Sequence, residues 1–162
     1  MSHVSVSDTD NGMQAFLKMM RASSGESYTK VGLPAETEPV SVANGHSSTQ
    51  ADLVHIAAIH EFGAPNAKIP ERSFLRSAYD ANVDKLKKIK DEESTRILAG
   101  QSTMRKSLGR IGEWMATQIK LKIKSNIPPA LSEMTIAKKG SDVALIDSGQ
   151  LIQSITHVEV VV

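Results

Sequence analysis

The sequence predicts an α+β fold, a small antiparallel sheet with helices packed on one face, one of them a long helix near 102–126. Three observations point there. From Ser73 to Leu98, and again from Met104 onward, apolar residues recur every three or four positions, the period of an amphipathic helix. Tyr28–Leu33 reads as a strand, and Ser154–Val162 alternates, with Val158, Val160 and Val162 on one side and His157 and Glu159 on the other. That is the pattern of a half-buried strand, with the valines expected on the core side. The order is helix and short strands, then three helices, then a strand, which segregates the two kinds of element.

Taken in order, residues 2–7 alternate weakly, and Met13 to Arg21 reads as a short helix with Phe16, Leu17, Met19 and Met20 on its apolar side. Pro39–Ala43 reads as a second strand turning at Asn44-Gly45, and Thr49 with Asp52 has capping-box spacing. Residues 51–79 are the stretch around which the chain is organised. Leu53, Val54, Ile56, Ala57, Ala58 and Ile59 are apolar almost all round, so a helix here is expected to be buried on most sides. Gly63 suits a left-handed stop, and Pro65 and Pro70 shape a loop whose ends Phe62 and Phe74 are expected to anchor. The loop leads into the helix 73–98, whose Lys85–Glu93 stretch reads as a water-facing charged stripe, and Gly100 stops it.

Ser102 or Thr103 can cap the next helix, where Met104, Leu108, Ile111, Met115, Ile119 and Ile123 hold one face. Ile119–Lys124 also alternates like a strand, but nothing breaks the helical pattern before it, and a helix to about Asn126 is the expectation. Pro128-Pro129 ends it. A helical turn within 131–139 comes next, then a turn at Asp147 and Gly149, with Asp147 and Gln150 at capping-box spacing. The 51–79 unit is expected to pack as a rigid centre against the long helix.

At 162 residues the chain fits one domain with a real core. It has no cysteine, which excludes disulfides and thiolate metal sites, and no apolar run nears the ~18 residues of a membrane span. Its start lacks the basic and apolar regions of a signal peptide, so the cytoplasm is the expected place of synthesis. The net charge of +1 is unevenly spread: residues 1–80 carry −3 and residues 81–162 carry +4. Within 105–124, Arg105, Lys106, Arg110, Lys120, Lys122 and Lys124 face Glu113 alone, which fits a solvated helix face or contact with DNA or an acidic partner.

No catalytic constellation is complete. His60-Glu61 resembles the start of a zinc-protease motif, but position 64 is Ala where the second His belongs, and His55 and His60 diverge on a helix. Ser148 lacks the Gly two residues earlier that a hydrolase elbow needs. Gly109-x-x-Gly112 lies inside a helical pattern, where small residues serve close helix approach better than nucleic-acid clamping. No cofactor or metal is expected. Glu61, Arg72 and Arg76 flank one loop, and an acid beside two guanidiniums fits pairing within the loop or across subunits. With only six aromatics, mostly at core-like positions, single-strand stacking is not expected, though Lys120, Lys122 and Lys124 suit non-specific contact with duplex phosphates.

Two blocks of the chain resemble a known family. Ala57-Ala58-Ile59-His60-Glu61-Phe62-Gly63 with Ile69-Pro70-Glu71-Arg72-Ser73-Phe74-Leu75-Arg76 forms one. Ile127-Pro128-Pro129-Ala130-Leu131, Thr135-Ile136-Ala137-Lys138-Lys139 and Leu145-Ile146-Asp147-Ser148-Gly149-Gln150-Leu151 before Ser154-Ile155 forms the other. Together they are similar to bacteriophage virion-morphogenesis proteins, the tail-completion or head–tail-joining (neck) proteins of long-tailed phages. Ser148 stands where that family usually has Thr, and Ser73 where Pro is common.

The resemblance implies a non-enzymatic structural virion protein that forms a homo-oligomeric ring, typically of six or twelve copies, at the head–tail junction or the top of the tail. It implies adjacent neck, adaptor or tail-terminator proteins as partners, contact with duplex DNA in the channel through Lys120, Lys122 and Lys124, and no membrane. Glu61, Arg72 and Arg76 become subunit-interface candidates. Phe62, Gly63, Pro65, Pro70, Phe74, Asp147 and Gly149 shape the loops, and residues 51–162 hold the core. Residues 1–50, poor in these motifs, become an N-terminal arm with the first strands, ordered by a partner. A tail-terminator-type ring protein and a non-specific DNA-binding accessory protein are the alternative readings.

Overall fold

The computed structural model describes residues 25–33, 50–131, 133, 136–137, 145 and 149–162. The elements are β1 (Tyr28–Gly32), α1 (Gln50–Phe62), a 3-10 turn (Pro65–Ala67), α2 (Leu75–Leu98), α3 (Met104–Lys124), α4 (Gln150–Ser154) and β2 (Thr156–Val160). The expectations for strands at 2–7 and 39–43, the helix over 13–21, and the Thr49 and Asp147 caps lie outside the described residues, as does Ser148. Within 131–139, residues 133, 136 and 137 are helical. The class is α+β, and both long helices fall where their apolar periods placed them.

α2 and α3 form an antiparallel hairpin. Gly100, at φ 70°, closes α2, and the Thr103 hydroxyl caps α3 by accepting from the Lys106 N–H at 3.3 Å. Glu93 does not face water as the charged stripe suggested. Its buried carboxylate accepts from the Ser107 hydroxyl at 2.8 Å and from Arg110 Nε at 2.9 Å, tying α2 to α3. The strand-like alternation at 119–124 resolves as helix. Ile119 and Ile123 are buried while Leu121 between them is 54% exposed, which one strand face would not allow.

β1 and β2 pair antiparallel, Tyr28 opposite Val160 and Lys30 opposite Val158. α3 packs across both strands. Gly109 and Gly112 make that possible, as expected of small residues in a helix. A Cβ on Gly112 would lie 2.6 Å from Thr29 Oγ1 and 2.7 Å from His157 Cδ2, and one on Gly109 would lie 2.8 Å from Glu159 Oε1.

The same contacts reverse the expected facing of β2. His157 and Glu159, paired at 3.3 Å, lie against α3 with Thr29 and Val31, so the valines take the outward face. Val158 is 45% exposed and Val162 76%. Alternation fixes which residues share a face but not which face meets the core. Here the close helix leaves room for a flat imidazole and a carboxylate end over the glycine gaps.

The core gathers Phe74 and Ala78 from the α2 end, Met115, Ala116, Ile119 and Ile123 from α3, then Ile127, Leu145, Leu151 and Ile155. α1 adds Ala57 to it and touches α4 rather than lying along α3, so the 51–79 unit meets the long helix chiefly through Phe74 and α2. Burial of α1 on most sides does not occur. Leu53 and Ala57 are buried, Ile59 is half-buried, and Val54, Ile56 and Ala58 are exposed, because only one side of this helix has a neighbour among the described residues. β1, one of the first strands expected within residues 1–50, belongs to the sheet and contacts α3. Among the described residues, no helix is long and apolar enough to cross a membrane.

Candidate functional site

Among the described residues, the loop between α1 and α2 carries a dense set of hydrogen bonds. α2 begins without a capping side chain of its own and without an acid in its first turn. Its exposed N–H groups are met instead by Glu61, in the last turn of α1. One carboxylate oxygen accepts from the Phe74 and Leu75 N–H groups at 2.8 and 2.9 Å. The other accepts from the Arg76 N–H at 3.0 Å, the Ser73 hydroxyl at 2.7 Å and Arg76 Nε at 3.1 Å. A negative charge at a helix N-terminus satisfies orphan donors and meets the positive end of the helix dipole.

Glu61 is 2% exposed, and burial alone would push its pKa up. The bonds from Leu75, Ser73 and Arg76 outweigh that and hold the carboxyl below its ordinary value. With five donors on two oxygens it has no capacity left to act as a base.

Arg76 completes the fastening. Its Nη2 donates to the Glu61 carbonyl at 3.0 Å and to Glu71 at 2.6 Å, and its guanidinium stands 5.2 Å from the centre of the Phe62 ring. Its pKa is raised, first by the hydrogen bond to Glu61. Arg72 is not free to reach a neighbour. It is buried, its Nε and Nη2 both donate to the Pro129 carbonyl at 3.2 and 2.7 Å, and its backbone N–H bonds the His60 carbonyl at 2.7 Å. Burial lowers its pKa. The two blocks of the family resemblance therefore meet at this arginine, a contact that no spacing in the sequence announces.

Of the loop residues, Gly63 takes φ 75°, and a Cβ there would lie 2.9 Å from the Glu71 nitrogen, so only glycine fits. Ala64 and Ile69 bridge across the turn that Pro65 starts. Phe74 anchors one end with no exposure. Phe62 does not anchor the other: it is 65% exposed, its ring lying outside beside Arg76. Phe62, Gly63, Pro65, Lys68, Ile69, Pro70 and Glu71 line an open depression of about 520 Å³. Gly149 caps α4 at φ 77°.

Lys120, Lys122 and Lys124 do not form one face. Lys120 and Lys124 are one turn apart, while Lys122 lies on the roughly opposite side of α3. No group of three or more metal-ligating side chains occurs among the described residues. No family model matches the chain, and no curated protein or solved structure shows significant similarity to it.

Proposed function

We propose that the protein is a structural ring component of a phage virion, a neck or tail-completion protein at the head–tail junction. The two motif blocks support the family reading. The structural observation that carries it is a pair of different apolar surfaces on one chain. The first is a stripe on α1, Val54, Ala58 and Phe62 at one-turn spacing, all exposed and ending at the open depression beside Phe62. The second is the outward sheet face, with Tyr28, Val158 and Val162 exposed. Exposed apolar side chains grouped on one face in this way suit burial against a partner, and on the sheet they share that face with Lys30 and Val160. A closed ring of identical copies needs two unlike patches, each meeting the other on its neighbour. The fastening by Glu61, Arg72 and Arg76 then holds the first patch rigid. Its role is structural, with the charge difference between the two halves of the chain adding complementarity.

The test is assembly by light scattering. The unaltered chain forms a discrete closed oligomer. Phe62→Asp and Val158→Lys each abolish it while leaving the monomer folded. Mixed, the two variants retain one intact contact between them and stop at a heterodimer. A chain that stays monomeric at high concentration, or a mixture with no heterodimer, overturns the reading.

A further inference from the structure

The two surfaces of the proposed ring each carry charge at their borders, and the charges stand in complementary order. Along the first strand, Glu26, Tyr28 and Lys30 are exposed and alternate with the less exposed Ser27 and Thr29. The chain thus presents an acid, an aromatic ring and a base in a row, the outer two about 13 Å apart in extended backbone. Lys30 Nζ stands 5.6 Å from the centre of the Tyr28 ring. Thr156, Val158 and Val160, the residues of β2 on this face, are uncharged. Charge pairing by the outward sheet face, among the described residues, therefore runs through Glu26 and Lys30.

Beyond the end of α1, Lys68 and Glu71 are both exposed and stand on either side of Ile69-Pro70. Lys68 takes φ 55°, and Glu71 bonds Arg76 through Oε1 while its side chain stays 54% exposed. Three residues of extended chain span at most about 11 Å, a separation that long side chains bring into match with Glu26 and Lys30. Phe62, Pro65 and Pro70 are exposed beside them. This surface is therefore a base and an acid bordering an apolar centre.

We infer that Tyr28 of one copy sits against Phe62 and Pro65 of the next, with Lys30 paired to Glu71 and Glu26 paired to Lys68. The contact rests on the ring reading and adds to it which strand meets the end of α1 and in which direction that strand runs. The reverse direction sets Lys30 against Lys68 and Glu26 against Glu71, and like charges brought together at an interface repel. Tyrosine suits the centre of such a contact, because interface cores are enriched in aromatic rings. The bordering pairs fix partner and orientation more than they add affinity.

Charge reversal in a mixture tests the pairing. Lys30→Glu and Glu71→Lys are prepared separately, checked for folding by circular dichroism, and followed for assembly by light scattering at low salt. Each alone sets like charges across every contact and is expected to need about tenfold more protein to assemble than the unaltered chain. Mixed in equal amounts, the two alternate around the ring with opposite charges at every contact, and assembly returns to within about threefold of the unaltered chain. Both effects shrink at about 1 M salt, where the screening length falls to about 3 Å.

Glu26→Lys and Lys68→Glu, treated in the same way, read the second pair and stand in for the first if one of its members fails to fold. Three results overturn the inference while leaving the ring itself intact: single variants that assemble like the unaltered chain, a Lys30→Glu variant that assembles more readily, or a mixture that is not rescued. An unaltered chain that stays monomeric removes the ring and this contact with it.

Discussion

Replacing Glu61 by glutamine tests the fastening with the smallest change of shape. The carboxylate receives two backbone donors on one oxygen, and a backbone donor, a hydroxyl and a guanidinium on the other. An amide keeps one acceptor oxygen and turns its NH2 toward the donors at the other, whichever way it rotates. At least two donors then lose their partner, and the Phe74 or Arg76 N–H is among them. A buried unsatisfied group costs about 1–3 kcal/mol, and loss of the charge at the helix start adds about 0.5 kcal/mol. Partial access of water to Leu75 and Arg76 offsets some of this, so E61Q is expected to lose about 3 kcal/mol. With a urea slope of about 2 kcal/mol/M, the unfolding midpoint falls by about 1.5 M at pH 7.

The pH dependence has a fixed sign. The folded-state pKa of Glu61 is depressed, so the stability it supplies is complete above about pH 5 and is lost as pH falls through the folded-state value. Once protonated, Glu61 resembles the amide, and the gap between the unaltered chain and E61Q closes. Glu93, also held below its ordinary value, first by Arg110, titrates in both proteins and cancels in the difference. Urea titrations at pH 7 and pH 3 measure it. A midpoint shift under about 0.3 M at pH 7, or a gap that persists undiminished in acid, would refute the capping role.

Two further pairs of substitutions separate close packing from mere position. Gly112→Ala places a methyl against Thr29 and His157 and should cost about 1–3 kcal/mol, whereas Gly109→Ala meets only the movable end of Glu159 and should be close to neutral, helped by alanine's helix preference. Thermal unfolding of both variants checks the contrast, and equal effects would deny that α3 is pressed onto the strands at Gly112. Phe74→Ala should cost about 3–5 kcal/mol, while Phe62→Ala should leave monomer stability within about 0.5 kcal/mol and weaken assembly only. Melting and light scattering on the same samples read both effects.

The helices were legible because period and breakers agree. Leu75–Leu98 ends at a glycine with φ 70°, and Met104–Lys124 begins at the threonine that caps it. What sequence could not convey was which neighbours each apolar face would find. α1 is apolar almost all round over Leu53–Ile59, and its pattern looks the same whether that surface is covered within the chain or left outside. β2 alternates cleanly, yet its core side goes with the close approach at Gly112, some 45 residues earlier in α3, a relation that no local pattern contains. Within the site, Glu61 and Arg76 were recognisable as partners by their closeness along the loop. Arg72 was not, because its acceptor is a carbonyl at Pro129, and carbonyl positions leave no mark on composition. An arginine in one motif block and a helix-ending proline pair in the other were the only signals.

The Glu61 cap also has a consequence for how the loop can vary. The end of α1 and the start of α2 are joined through a carboxylate and through the Arg72 N–H on the His60 carbonyl, both outside residues 64–70. The path between them therefore does not have to hold the helices in place. Beyond Gly63, which the backbone requires, positions 65–68 lie on the surface and bear on no core side chain. They can change, lengthen or acquire a new recognition sequence while the scaffold beneath keeps its geometry. Such a loop lets specificity toward a neighbour diverge faster than the fold that presents it.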